Sequence, residues 1–414
     1  MKPFEIAVVG GGASGLFAAA FAAQEANGVG VPVNVSVYEG NARVGKKILV
    51  TGNGRCNLTN ESMGPEHYRG ATDLFQTVYR RFGREETLAF FETAGLFTRS
   101  DFAGRVYPMS NQAASVLDTL RSVCGELGVK EVASCKITSL QRQGEGFLLN
   151  GEICADRVIV ACGGKAAPVH GSDGSGYGLL QGLGVKITPL YPALTPLNID
   201  NFTKALKGVR AAGRVTLKSG GSVLAEAAGE LQYTDYGLSG IPAMQVSRFA
   251  AAKLAEGGEV LAFVDSAPDF TPAELTDRLL AIKKRRPSMT AEAMLAGLMP
   301  KRLGTTLIAS CSLSPAKEIG GLHDNAVGKI VSAVKRTKYK VRSVRGFADA
   351  QVTAGGVAAE AIDGAAMELK NVRGLFVCGE IVDVDGDCGG YNLQWAFSSG
   401  AVAGRSAVRS LTNL

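Results

Sequence analysis

The chain has 414 residues, 46% of them hydrophobic and 20% charged, which excludes wholesale disorder and allows two or three domains of ordinary size. A net charge of +6, from 44 basic and 38 acidic residues, is mild for this length and demands neither a nucleic-acid nor a membrane partner. No stretch reaches the roughly 18 apolar residues of a membrane span, and the N-terminal apolar run is too short for a secretory signal. The eight cysteines show no CxxC or zinc-like spacing, so a reducing cytoplasm with free thiols is expected.

Residues 4–40 read as strand, glycine turn, helix and strand: FEIAVVG, GGASG, the alanine-rich LFAAAFAAQEA, then VNVSVYEG. That is a βαβ unit. Helical regions are expected around 73–94 and 111–127, and strands near 131–140 and 157–161. The last of these, Arg157-Val158-Ile159-Val160-Ala161, is the continuous apolar run of a buried parallel strand. Three prolines, Pro189, Pro192 and Pro196, mark a change of character. Segments 208–218, 222–234 and 259–265 then look like antiparallel strands joined by glycine turns. Thr271-Pro272-Ala273-Glu274 combines an N-cap, a proline at the first helical position and the glutamate of a capping box. Helices are expected over much of 272–335, with a strand at 338–346 leading back. From about 347 the α/β character resumes, with a strand in 374–380 and a helix over 392–410.

Gly10-Gly11-Gly12-Ala13-Ser14-Gly15 supplies G-x-G-x-x-G between the first strand and helix. Gly10 permits the tight turn, Gly12 lets a pyrophosphate approach the backbone, and Gly15 lets helix and strand pack closely. Amide groups at the start of the helix, Ala13 and Ser14 included, face the phosphates. Glu39 follows Gly15 by 24 residues and closes the second strand, where it is placed for a ribose 2′-OH. Near the C-terminus, Cys378-Gly379-Glu380 and Asp387-Cys388-Gly389-Gly390-Tyr391-Asn392-Leu393 again place a strand, an acid, a glycine loop and a small-residue helix in sequence. This resembles the second FAD fingerprint of flavoproteins with two dinucleotide folds. There Glu380 would hold the ribityl chain or pyrophosphate, and the helix start would face the flavin edge that gains negative charge on reduction.

Together with Gly45-Lys46-Lys47-Ile48-Leu49-Val50, TGNGRCNLTN at 51–60, Gly104-Arg105-Val106-Tyr107-Pro108, Gly171-Ser172-Asp173-Gly174-Ser175-Gly176, the run 229–240 and Val352-Thr353-Ala354-Gly355-Gly356-Val357, these motifs resemble a known family over nearly the whole chain. It is the bacterial flavoprotein family that includes BaiN-type dehydro-bile-acid reductases and aminoacetone oxidases. TGNGRCNLTN is the most specific of the motifs. Two departures, Gly240-Ile241-Pro242 and Asp235, fall in the inserted part and bear on substrate.

The resemblance implies an α/β protein: a two-dinucleotide-type, Rossmann-like FAD domain interrupted by an inserted β-barrel domain and a small helical domain. The expected limits are 1–190 and 347–414 for the FAD domain, 191–270 with return strand 336–346 for the barrel, and 271–335 for the helices. It further implies FAD contacts at the dinucleotide turn, Glu39, Lys46, Lys47, Arg55, Cys56, Asn57, Gly163, Gly379, Glu380, Gly390, Asn392 and Leu393. Arg55 suits a phosphate or the flavin pyrimidine edge, and asparagine amides suit its polar rim. A redox disulfide between Cys56 and Cys388 lacks the usual spacing, and packing thiols are the expected reading.

The activity implied is hydride transfer through flavin N5, as an NADH- or NADPH-linked reductase of an enone C=C bond in a small molecule. Tyr391, Tyr233 and Tyr236 are the candidate proton donors. An amine oxidase releasing hydrogen peroxide is the alternative, and a flavin-containing RNA-associated protein is an alternative of another class. The basic runs 283–286 and 335–340 read as solvated faces, so no nucleic acid is expected. The three histidines, His67, His170 and His323, form no metal-binding pattern.

Overall fold

The computed structural model describes residues 2–412. Contacts divide the chain into two compact units, Met1–Tyr191 with Gln351–Leu414, and Pro192–Ala350.

The first unit is built on a seven-stranded sheet. Five parallel strands run in the order Leu375–Val377, Arg157–Val160, Phe4–Val9, Val33–Tyr38 and Lys130–Val132. Glu368–Leu369 and Ile362–Asp363 extend the first edge antiparallel. The alanine-rich helix Ala13–Val29 is buried along most of its length, and the C-terminal helix Tyr391–Thr412 lies against it. Small residues permit the approach. A Cβ on Gly400 would lie 2.5 Å from the Ser14 carbonyl oxygen, and one on Gly404 would overlap that of Ala18. Phe17, Phe82, Phe90, Phe91 and Phe397 fill the space beside the two helices.

The helical region expected at 73–94 is two helices, Thr72–Tyr79 and Arg84–Thr93, separated at Gly83. The strand expected at 131–140 is also divided. Only Lys130–Val132 joins the main sheet; the chain turns at Ser134, φ +55°, and re-enters a small sheet at Leu140–Gln143. The turn has a cause, because Ser134 N donates to the Asn41 carbonyl and Cys135 N to that of Glu39, each 2.8 Å. The segment therefore covers the end of the second strand.

The second unit contains a closed six-stranded antiparallel barrel in the order Leu197–Ile199, Gly237–Gly240, Ser222–Tyr233, Arg210–Ser219, Val260–Asp265 and Thr337–Val344. Inward residues such as Val215, Leu217, Leu231, Val260, Ala262, Val264 and Val341 are buried, as period-two alternation requires. Thr337–Val344 pairs with both Val260–Asp265 and Leu197–Ile199 and so closes the barrel. The sequence reading missed the helix Ile241–Ala255, which packs on the barrel through Ala243, Val246 and Ala250. Its signal was Pro242 in the first turn after Gly240. Four helices, Pro272–Arg285, Ala291–Leu295, Lys301–Ser310 and Asp324–Arg336, occupy the helical stretch. The capping box forms, with Glu274 N donating to Thr271 Oγ1 at 3.2 Å and Thr271 N to Glu274 Oε2 at 2.8 Å.

Candidate cofactor site

The first turn separates three glycine roles. At Gly10, φ +105°, a Cβ would stand 2.5 Å from the Ala161 carbonyl oxygen, so only glycine lets the strands of the sheet meet there. Gly15 sits against the Gly10 carbonyl, which a side chain would displace. Gly12 instead has nothing within 4 Å of its Cβ direction and opens onto free space. It precedes a helix with no side-chain cap, so the first amides of Ala13–Val29 keep their donors for an anion.

Glu39 is held ready by the same turn. Its Oε2 accepts from Gly11 N at 2.9 Å, and Oε1 accepts from Asn41 N and Nδ2, both at 2.7 Å. Three donors fill three of about four acceptor positions on a carboxylate. One is left for a ribose hydroxyl.

Lys47 and Glu380 are brought together, but as partners of each other. Lys47 Nζ lies 2.7 Å from Glu380 Oε2 and donates to the Ala166 carbonyl at 3.2 Å. Glu380 Oε1 accepts from Thr353 N at 3.0 Å, and Thr353 Oγ1 accepts from Lys165 N and Ala166 N at 2.7 and 3.0 Å. This network ties the loop after Arg157–Val160 to the loops around 353 and 380. Lys46 is half-buried.

The TGNGRCN loop is a strained turn, with φ of +55°, +57°, +81° and +57° at Gly52, Asn53, Gly54 and Cys56. Its conformation turns Arg55 out, where the guanidinium covers the Tyr107 ring at 4.7 Å, and turns Cys56 and Asn57 in. Asn57 then meets the start of the C-terminal helix. A Cβ on Gly390, φ +102°, would be 2.8 Å from Asn57 Oδ1 and would overlap the Thr59 carbonyl. Asn57 Oδ1 and Thr59 Oγ1 are buried without a protein partner, as are Ser172 Oγ, which would stand 2.8 Å from a Cβ on Gly163, and the Tyr177 hydroxyl.

Asn392 acts inward. Its Oδ1 accepts from Gly386 N and its Nδ2 donates to the Gly386 carbonyl, both at 2.8 Å. Gly379, φ +78°, is pinned by the same helix: its amide donates to Ser399 Oγ at 2.9 Å and its carbonyl accepts from Trp395 Nε1 at 3.0 Å. Leu393 is half-buried beside them.

A buried donor or acceptor left alone costs about 1–3 kcal/mol. The unpartnered atoms of Asn57, Thr59, Ser172 and Tyr177, the open face of Gly12 and the uncapped start of the helix Ala13–Val29 therefore fit a ligand with phosphates at one end and a polar ring at the other. Ser172, Tyr177, Asn41, Thr59 and Thr353 had been given no role in the sequence. For Ser172 and Thr353 the signal lay in the 171–176 and 352–357 motifs.

Burial pushes the thiols of Cys56, Cys162, Cys378 and Cys388 up to about 12. They are protonated thiols and poor redox nucleophiles. Of the three tyrosines, Tyr391 opens the C-terminal helix, buried in the first unit, with its phenol pushed up to about 12 by burial and then by Asp387 and Glu66. Tyr233 and Tyr236 belong to the other unit. Tyr233 is 1% exposed inside the barrel core. Tyr236 lies under the Arg345 guanidinium at 4.8 Å. Among the described residues no group of three or more His, Cys, Asp or Glu could hold a metal, and no helix is long and apolar enough to cross a membrane.

A parallel sheet with a glycine-turn helix, an acid at the end of its second strand and a second helix start facing the same loops defines a Rossmann-type dinucleotide-binding fold. The chain belongs to the family described as HI0933-like protein Rossmann domain, which matches residues 4–406. It is 40% identical over 409 residues to a protein of Clostridium scindens named 3-dehydro-bile acid delta(4,6)-reductase, covering 97% of this chain and 98% of that one. It is 27% identical over 413 residues to a ribosomal RNA dihydrouridine synthase of Haemophilus influenzae, covering 97% and 98%. An E. coli quinol fumarate reductase FrdA structure shares the fold at a TM-score of 0.50 and 17% identity, covering 100% of this chain and 72% of that one.

Proposed function

We propose that this chain is a cytoplasmic, FAD-dependent reductase of a C=C bond conjugated to a carbonyl, with a 3-oxo steroid acid as substrate class and NADH or NADPH as transient electron donor. The observation that carries the reading is the 40% identity to the Clostridium scindens reductase over nearly the full length of both chains. The names of both groups of relatives describe hydrogen added across a C=C bond, in a steroid in one and in uridine in the other. That bond change is what they have in common.

Bound FAD would supply the hydride for the carbon remote from the carbonyl. The chain's residues hold and orient. The amides after Gly12 would take the pyrophosphate and Glu39 the adenosine ribose. Asn57 and Thr59, beside Gly390, would meet the polar edge of the ring. The start of the helix Tyr391–Thr412 would face charge developing there. The Tyr391 phenol, neutral at physiological pH, is the donor within this unit for the carbon next to the carbonyl.

Anaerobic mixing of the purified yellow protein tests this. NADH or NADPH should bleach the visible flavin band, and a conjugated 3-oxo steroid acid should restore it. Bleaching by aminoacetone, with hydrogen peroxide on admission of air, would favour an amine oxidase instead. Recovery of colour with ribosomal RNA but no steroid would favour an RNA substrate. Purified protein without FAD would overturn all three readings.

A further inference from the structure

The His67 imidazole lies outside the cofactor cradle, yet it is held from several sides within the first unit. The short strands Tyr68–Gly70 and Val384–Gly386 pair antiparallel, and the pairing continues in a bond from Asp387 N to the His67 carbonyl at 2.9 Å. His67 Nδ1 lies 3.2 Å from Asp387 Oδ2. An ionised carboxylate only accepts, so Nδ1 is the donor in this contact. The imidazole lies flat on the Tyr391 ring, with centroids 4.4 Å apart and planes at 20°. Tyr68 completes the arrangement: its hydroxyl donates to the Tyr391 carbonyl at 2.9 Å, and its ring stands edge-on to that of Tyr391 at 5.9 Å. The charged groups facing the pair are Glu66, with Oε1 3.8 Å from His67 Nε2, and Arg69, with Nη2 3.7 Å from Asp387 Oδ1.

Tyr391 directly follows Gly389 and Gly390, in the loop that Asn392 clamps from inside. Its hydroxyl has no partner among the described residues. Every neighbour of the ring therefore fixes its plane, while its O–H stays free for a ligand.

We propose that His67, tethered by Asp387, positions the Tyr391 phenol for proton delivery to the substrate carbon next to the carbonyl, an inference that rests on the reductase reading above. In this step the Tyr391 O–H bond breaks, a C–H bond forms, and the phenolate takes a proton from water. The electron pair enters at the other carbon with the hydride. His67 touches the phenol and not the reacting carbon, so it is a positioning residue.

Rapid-mixing experiments on the holoenzyme separate flavin reduction by the nucleotide from reoxidation by the conjugated steroid. Tyr391→Phe should slow reoxidation by about 10²- to 10⁴-fold and leave reduction unchanged. His67→Ala and Asp387→Asn should slow the same half by about 10- to 100-fold, with a larger solvent deuterium isotope effect. His67→Phe keeps a stacking ring and should recover part of the rate. Equal loss in both halves, or unchanged reoxidation in His67→Ala, would overturn the proposal. If the reduced wild type is reoxidised by no conjugated carbonyl compound, the reductase reading fails first and the positioning role falls with it. A readout independent of turnover comes from the three histidines. The His67 ring-proton resonance should sit upfield under the Tyr391 ring current and move in Tyr391→Leu while those of His170 and His323 stay, and its failure to move would remove the stacking on which the proposal stands.

Discussion

Lys47 and Glu380 are only 25% and 20% exposed as side chains, too desolvated for either charge to be left alone without cost. Their 2.7 Å contact was not legible beforehand, because a residue 333 positions away cannot be named as a partner from local pattern. A double-mutant cycle with Lys47→Met and Glu380→Gln should give a coupling energy of about 0.5–3 kcal/mol in urea unfolding of the apoprotein. Zero coupling would mean that neither charge depends on the other in the folded chain. The thiols make a pH-dependent claim. For Cys56, Cys124 and Cys378, burial raises the folded pKa to about 12, above an unfolded value of roughly 8.5. Their contribution to stability is thus fully present below the unfolded value and is lost as pH rises from there toward 12. The urea midpoint should fall on that alkaline limb, less steeply in Cys56→Ala. A thiol reagent near neutrality should label exposed Cys154 first and leave Cys56, Cys124 and Cys378 unmodified until unfolding.

Among the elements, those with strong periodicity or a terminal signature were legible before any coordinates. The first βαβ unit, the apolar strand Arg157–Val160 and the capped helix at Pro272 are such cases. Elements set by distant partners were not. The turn at Ser134 exists because Asn41 and Glu39 capture its amides, and the helix Ile241–Ala255 has an apolar face matched to a barrel that forms elsewhere in the sequence. Glycine shows the same divide. Replacing a mid-helix glycine by alanine gains about 1 kcal/mol of propensity. At Gly404 the new methyl would meet the Ala18 carbonyl and lies 2.9 Å from Ala22 N, both backbone and unable to yield. Overpacking costs about 1–3 kcal/mol, so Gly404→Ala should destabilise. At Gly28, in the helix Ala13–Val29, nothing lies within 4 Å, and Gly28→Ala should stabilise by about 0.5–1 kcal/mol. Denaturant midpoints of the two variants, moving in opposite directions, check the argument.

At the scale of the molecule, the two units have separate hydrophobic cores, one around Phe17, Val8 and Trp395, the other around Leu217, Val264 and Leu303. The glycine-turn motif and the C-terminal fingerprint made the first legible as a nucleotide fold. The site was legible only as a set of backbone positions, since the orphaned oxygens of Thr59, Ser172 and Tyr177 arise from packing across the chain. The separation of cores has a measurable consequence, because the single tryptophan, Trp395, is 1% exposed and its indole N–H holds the Gly379 carbonyl of the candidate site. Its fluorescence reports unfolding of the FAD unit alone, whereas far-ultraviolet circular dichroism reports both units. A ligand that binds one folded unit stabilises that unit by RT ln(1 + [L]/Kd), about 2.7 kcal/mol at a hundredfold excess over Kd. For a unit of this size that is roughly 5–10 °C. Adding FAD to the apoprotein should therefore raise the melting temperature seen by tryptophan fluorescence by about that much. Any separate transition seen only by circular dichroism should stay in place. A fluorescence transition that does not move with FAD would place the cofactor away from Trp395 and the helix start at Tyr391, against the site described above.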